Sequence, residues 1–81
     1  MYLHIGGQFA VLFSEIIAIL RVDKMGKNNK DYFKEAAIDK KIINVTQENR
    51  VKTCIITEKN IYLTSISTLT LVKRIEQKLV G

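Results

Sequence analysis

The side chains able to do chemistry in this chain are few and scattered. His4 is the sole histidine and Cys54 the sole cysteine among 81 residues. A histidine can serve as acid, base or metal ligand, but no cysteine or second histidine stands at ligand spacing from His4, so no metal site is expected. Cys54 lies between Thr53 and Ile55 in an apolar run. Without a local activating motif it reads as a small core residue and not as a nucleophile. Gly6-Gly7 lacks both the dinucleotide fingerprint and a Gly-Lys-Ser/Thr ending, so it is a turn and not a phosphate loop. The hydroxyl-rich stretch from Thr64 to Thr70 has the composition of turn and capping chemistry. Asp31 and Glu35 sit among lysines, as on a solvated, salt-bridged helix face. These residues support no enzyme, no cofactor and no small-molecule substrate.

The basic side chains remain. Thirteen Lys and Arg face eight Asp and Glu, a formal net charge of +5, which favours encounter with a polyanion. Lys24, Lys27 and Lys30 crowd one polar loop, and Lys40 and Lys41 follow a helical pattern. Arg50 and Lys52 precede an apolar strand, and Lys73, Arg74 and Lys78 punctuate the last segment. Such groups bind phosphates by Coulomb attraction and counterion release, and an arginine at position 50 can fork onto a phosphate or a guanine edge as lysine cannot. Taken singly, each is more often a solvated charge.

The elements that must position these groups begin with a β-hairpin over residues 51–64. Val51 to Thr57 is β-branched and too short for an independent helix, Glu58-Lys59-Asn60 is a polar turn, and Ile61 to Thr64 is the return strand. The consecutive apolar residues Cys54, Ile55 and Ile56 predict a strand covered on both faces. Gln47-Glu48-Asn49-Arg50 has turn composition and carries the basic approach to that strand. Upstream, Tyr2 to Ile5 alternates and stops at Gly6-Gly7. Residues 9–20 allow a helix by spacing; β-branching and the Ser14-Glu15 break favour strands over 8–13 and 16–21 with a bend between. A polar loop over 22–29 leads to an amphipathic helix over 30–39, with Phe33, Ala36 and Ala37 inward. A short strand follows over 42–45. Ser67 or Thr68 can cap a last helix of about ten residues, whose buried stripe is Leu71, Ile75 and Leu79 with Val72 on the flank. The fold class expected is α+β: a small twisted, mainly antiparallel sheet with two helices, in a single domain over residues 1–81.

Hydrophobic residues make up 47% of the chain. A domain this small cannot hide so much apolar surface, so further copies of the chain are expected to cover part of it as a homo-oligomer. One cysteine offers no internal disulfide framework. No targeting segment is visible, and the greasy run over 9–20 is broken by Ser14-Glu15 and too short to span a bilayer. A cytoplasmic protein without a membrane partner is expected.

The chain resembles, over nearly its whole length, the small bacterial extracellular matrix regulatory proteins RemA and RemB. The resemblance runs through Ile5-Gly6, Ile16-Ile17-Ala18-Ile19, Ile42-Ile43, Arg50-Val51-Lys52-Thr53-Cys54-Ile55-Ile56, Ile61-Tyr62-Leu63 and Thr70-Leu71-Val72-Lys73-Arg74-Ile75. The opening Met1 to Gly6 is closer to the RemB branch. The resemblance implies a LytTR-like subunit in a ring-shaped homo-oligomer that regulates transcription of biofilm matrix genes and contacts double-stranded DNA through arginines around the ring. Arg50 matches one of those arginines. Asn49 departs from the family's neighbouring residue, and Glu15 stands where the family carries another arginine, a reversal of charge. These departures place the remaining contacts on Lys52, Lys24, Lys27 and Arg74. They also motivate an alternative, a ring-forming protein-interaction module that has lost DNA binding. An RNA-binding ring is a weaker third reading, since Tyr2, Tyr32, Tyr62 and the phenylalanines are few and committed to packing.

Overall fold

The computed structural model describes residues 1–22, 31, 33–35, 37–46 and 50–80. The loop expected over 22–29 beyond Val22, with its Lys24 and Lys27, lies outside them, as do Lys30, Tyr32, Ala36 and the turn residues Gln47, Glu48 and Asn49.

The chain opens with a hairpin. β1 (Tyr2–Gly6) pairs antiparallel with β2 (Phe9–Leu12), setting Leu3 opposite Val11 and His4 opposite Ala10. Alternation sends Leu3, Ile5 and Val11 inward and leaves Tyr2, His4 and Ala10 exposed, as the two-residue period of a half-buried strand requires. The turn uses two glycines with positive φ, Gly6 at 119° and Gly7 at 55°. The expected bend at Ser14-Glu15 is a single 3-10 turn, Phe13–Glu15, so residues 9–20 take the strand reading and not the helical one.

β3 (Ile16–Arg21), β4 (Lys41–Asn44), β5 (Thr53–Thr57) and β6 (Asn60–Thr64) form a second sheet in the order β3-β5-β6-β4. The expected single sheet is therefore two: the 3-10 turn Phe13–Glu15 separates the β1–β2 hairpin from the ladder that β3 begins. β5 pairs antiparallel with β3 and β6, while β4 pairs parallel with β6. β3 and β4 consequently run the same way at opposite edges. Asp31, Phe33, Lys34, Glu35 and Ala37, between them in sequence, are helical, as a crossover between parallel strands demands.

All five residues of β5 are buried, the two-sided burial read from Cys54-Ile55-Ile56. On one face Ile55 joins Leu3, Ile5, Val11 and Leu71, with Phe13, Ile16, Ile19, Val45, Tyr62, Ile66 and Ile75 around them. On the other, Cys54, Ile56 and Ile61 pack with Ala18, Leu20, Val22, Phe33, Ala37 and Leu63. The first face is covered by the β1–β2 hairpin and the C-terminal helix, and the second by the helical residues around Phe33.

The C-terminal helix spans Thr68–Val80, thirteen residues against the ten expected. Of the two candidate caps, Ser67 serves: its Oγ accepts the Thr70 N–H at 3.2 Å, satisfying a donor that the first helical turn leaves unpaired. Leu71 and Ile75 turn inward as expected. Leu79 does not; it is 67% exposed, and Val72 is 37% exposed. The apolar arc of this helix is wider than the sheet and hairpin can cover.

Burial of the Cys54 thiol raises its pKa above the ordinary 9.0, partly offset by a hydrogen bond with the Leu20 backbone. The thiol is thus protected twice, by exclusion of reagent and by a lowered thiolate fraction. Labelling with an aromatic disulfide at pH 8 should proceed only as fast as the protein opens and should become rapid in denaturing urea. Rapid stoichiometric labelling of the native protein would place Cys54 outside the core.

Candidate nucleic-acid interface

Lys52 is fixed by its backbone before its charge is considered. Its N–H donates to the Thr64 carbonyl and its own carbonyl accepts from the Val22 N–H, both at 2.9 Å. These bonds carry the β3-β5-β6 ladder one residue beyond β5. Next to it, buried Thr53 donates its hydroxyl to the Ile66 carbonyl and meets the Thr68 hydroxyl, each at 2.8 Å. One end of the sheet is thereby tied to the start of the C-terminal helix; the exposed side chain of Lys52 projects from that end, and exposed Arg50 lies two residues before it in the chain.

Strand alternation assigns the faces. Lys52 is on the Cys54 side of the sheet, opposite to Thr53. Arg21 stands across from Thr53 in the register and is exposed, so it borders the same end from the face that carries the C-terminal helix. The sequence reading passed over Arg21, whose available signal was its place as the last residue of the alternating run Ile17, Ile19, Arg21.

Arg74 is held elsewhere. One of its guanidinium nitrogens donates to the His4 carbonyl at 3.0 Å, and Lys78 Nζ donates to the Tyr2 carbonyl at 3.1 Å. These two cations sit over the outer edge of β1, beside an open groove of about 310 Å³ lined by Tyr2, Leu3, His4, Arg74, Gln77 and Lys78. The sequence singled out both as basic side chains of the last segment, and both are exposed; what it could not show is that their donors are engaged by backbone carbonyls. They protect a strand edge, a common use of long basic side chains.

The structure therefore brings Arg50, Lys52 and Arg21 to one end of the four-stranded sheet and sets Arg74 on the helix of one face. Lys24, Lys27 and Asn49 lie outside the described residues. Glu15 is exposed just before β3, and β3 begins beside Thr57 and ends beside Thr53. Its carboxylate shares an open groove of about 550 Å³ with Ser14, Ile17, Thr57, Glu58, Lys59 and Asn60. Five residues of strand separate that end from Lys52, roughly 17 Å at about 3.3 Å per residue. The Debye length is about 8 Å at physiological salt, so the negative charge of Glu15 is largely screened from Arg50 and Lys52.

Among the described residues no group of three or more His, Cys, Asp or Glu side chains could hold a metal ion, and no helix is long and apolar enough to cross a membrane.

The chain is a small α+β fold with Arg21, Arg50 and Lys52 exposed at one end of its larger sheet. The chain matches the RemA-like family, described as extracellular matrix regulatory protein A-like, over residues 2–75, and it belongs to that family. The family is a regulatory one and not an enzyme family. No curated protein matches the chain.

Proposed function

We infer that this protein is a cytoplasmic, DNA-binding transcriptional regulator of extracellular matrix and biofilm genes, working as a ring-shaped homo-oligomer of LytTR-like subunits and nearer to the RemB branch. Membership of a matrix-regulator family supports the regulatory part. The observation that supports the DNA part is the exposed Arg50 and Lys52 side chains just before β5, where the Lys52 backbone is held between Val22 and Thr64. A cation on a fixed backbone, as at Lys52, loses less entropy on meeting a phosphate than one on a free loop. Two or three such contacts bind weakly alone, and repetition around a ring converts them into avidity. Contacts of this kind select bendable duplexes more than base sequences. Arg50 and Lys52 are the principal contacts, with Lys24, Lys27 and Arg74 as auxiliary ones.

Binding to duplex DNA is expected to fall linearly in a log–log plot against salt. Arg50→Ala should weaken it alike for all sequences and reduce the slope by about one. A gel shift at two salt concentrations reads both, and undetectable binding at low salt would discard the proposal.

The alternative, a ring-forming interaction module without DNA binding, draws on the engagement of Arg74 by the His4 carbonyl and on Lys52 and Arg74 occupying opposite faces. Recovery of a specific protein partner with no nucleic acid retained would favour it.

A further inference from the structure

Arg74 and Lys78 are one helical turn apart on the C-terminal helix, on the same flank and about 6 Å apart along its axis. Tyr2 and His4, two residues apart on β1, are separated by about 6.6 Å. The spacings match, and each cation meets one carbonyl of the strand, Arg74 that of His4 and Lys78 that of Tyr2. Met1 turns its carbonyl to β2, where it accepts the Phe13 N–H. By alternation Leu3 also faces β2, while Tyr2 and His4 direct both N–H and C=O to the outer edge. The helix has therefore taken the acceptors of that edge. The strand's N–H donors remain there, beside the N–H groups of Arg74 and Lys78 not used on the carbonyls. Another strand is poorly matched to such a row, because pairing needs acceptors as well as donors. A ligand that only accepts is well matched, and a phosphate group is one. The groove over this edge, about 310 Å³, is lined by Tyr2, Leu3, His4, Arg74, Gln77 and Lys78, none of them a carboxylate. Glu76 is about 200° round the helix from Arg74, on the side away from the groove.

We propose that this groove binds a phosphate group, free or carried on a small ester, between Arg74 and Lys78. Tyr2 and His4, both exposed and on one face of β1, offer ring surface to the organic part of an ester. The inference goes beyond DNA binding and does not rest on it. Arg74 and Lys78 are six and ten residues along the helix from Thr68, roughly 9 and 15 Å, and Thr68 is the residue that meets Thr53 beside Lys52.

The test is a titration of the full chain with inorganic phosphate and with adenosine monophosphate, in a low-salt buffer free of phosphate, followed by amide NMR shifts. Saturable shifts at Tyr2 and His4 are expected with both. Tighter binding of the nucleotide would assign an ester, and equal affinity would assign free phosphate. Lys78→Met keeps the aliphatic stem and should weaken binding about tenfold, the worth of one charge-assisted hydrogen bond. Lys41→Met removes the same charge from exposed Lys41 on β4, at the far edge of the larger sheet, and should leave binding unchanged; a dispersed spectrum shows that each variant is folded. Shifts that do not saturate, or equal losses in the two variants, would reduce the effect to general positive charge and overturn the site. Tyr2 and His4 signals that answer to duplex DNA and to neither small anion would overturn it as well.

Discussion

Ile55→Ala is expected to destabilise the protein by about 2–5 kcal/mol, the range for truncating a fully buried isoleucine. Ile55 is wholly buried in the middle of β5, between Ile19 of β3 and Tyr62 of β6. It packs against residues from every element on its face, namely Leu3, Ile5, Val11 and Leu71. The cavity has poor means of collapse, because β5 is hydrogen-bonded on both sides. At about 0.05–0.15 kcal/mol per residue the whole chain holds roughly 4–12 kcal/mol, so this one side chain accounts for a large part. Urea unfolding at fixed protein concentration measures it, concentration being held because self-association adds to apparent stability. A loss under about 1 kcal/mol would show that the two layers do not meet at Ile55.

Gly6→Ala should rank second. A residue with a side chain held at φ 119° costs about 1–3 kcal/mol. Its Cβ would also stand 3.3 Å from Thr64 Oγ1 and from Val45 Cγ1. Thr64 cannot withdraw freely, since its hydroxyl donates to the Ile5 carbonyl and accepts the Ile66 N–H. That contact is where the small hairpin is fastened to the larger sheet. Gly7→Ala is the internal control: its φ is 55° and nothing lies within 4 Å of the added atom, so only the left-handed backbone cost of about 1 kcal/mol applies. Equal urea midpoints for the two variants would contradict the packing at Gly6.

Local features of the fold could be read from the residues that make them. β-branching with two-sided hydrophobicity marked β5, hydroxyls marked the Ser67 cap, and Ser14-Glu15 marked the interruption before β3. The division into two sheets and the parallel pairing of β4 with β6 could not be read, because partner choice depends on residues far apart in the chain and leaves no imprint on a local window. Leu79 shows a related limit. Its spacing placed it in the buried stripe, yet it is exposed: spacing does not say how much of an apolar face the domain itself covers. For the site, turn composition and alternation sufficed to expose Arg50 and Lys52. Assigning Lys52 and Arg74 to different faces required the register of β5 and the position of the last helix, and Arg21 became relevant only once β3 was seen to end beside Thr53.

The strand order has a bearing on how the protein is made. β3 and β4 never touch: the two strands that come between them, β5 and β6, are synthesised last of the four. A nascent chain that has delivered β4 therefore holds two lone ribbons and no platform for its opening hairpin. Residue 64 must clear the ribosome before the larger sheet can close, and the helix that finishes the first face must follow. Closure of the larger sheet therefore waits on β5 and β6, whose emergence links β3 to β4 for the first time.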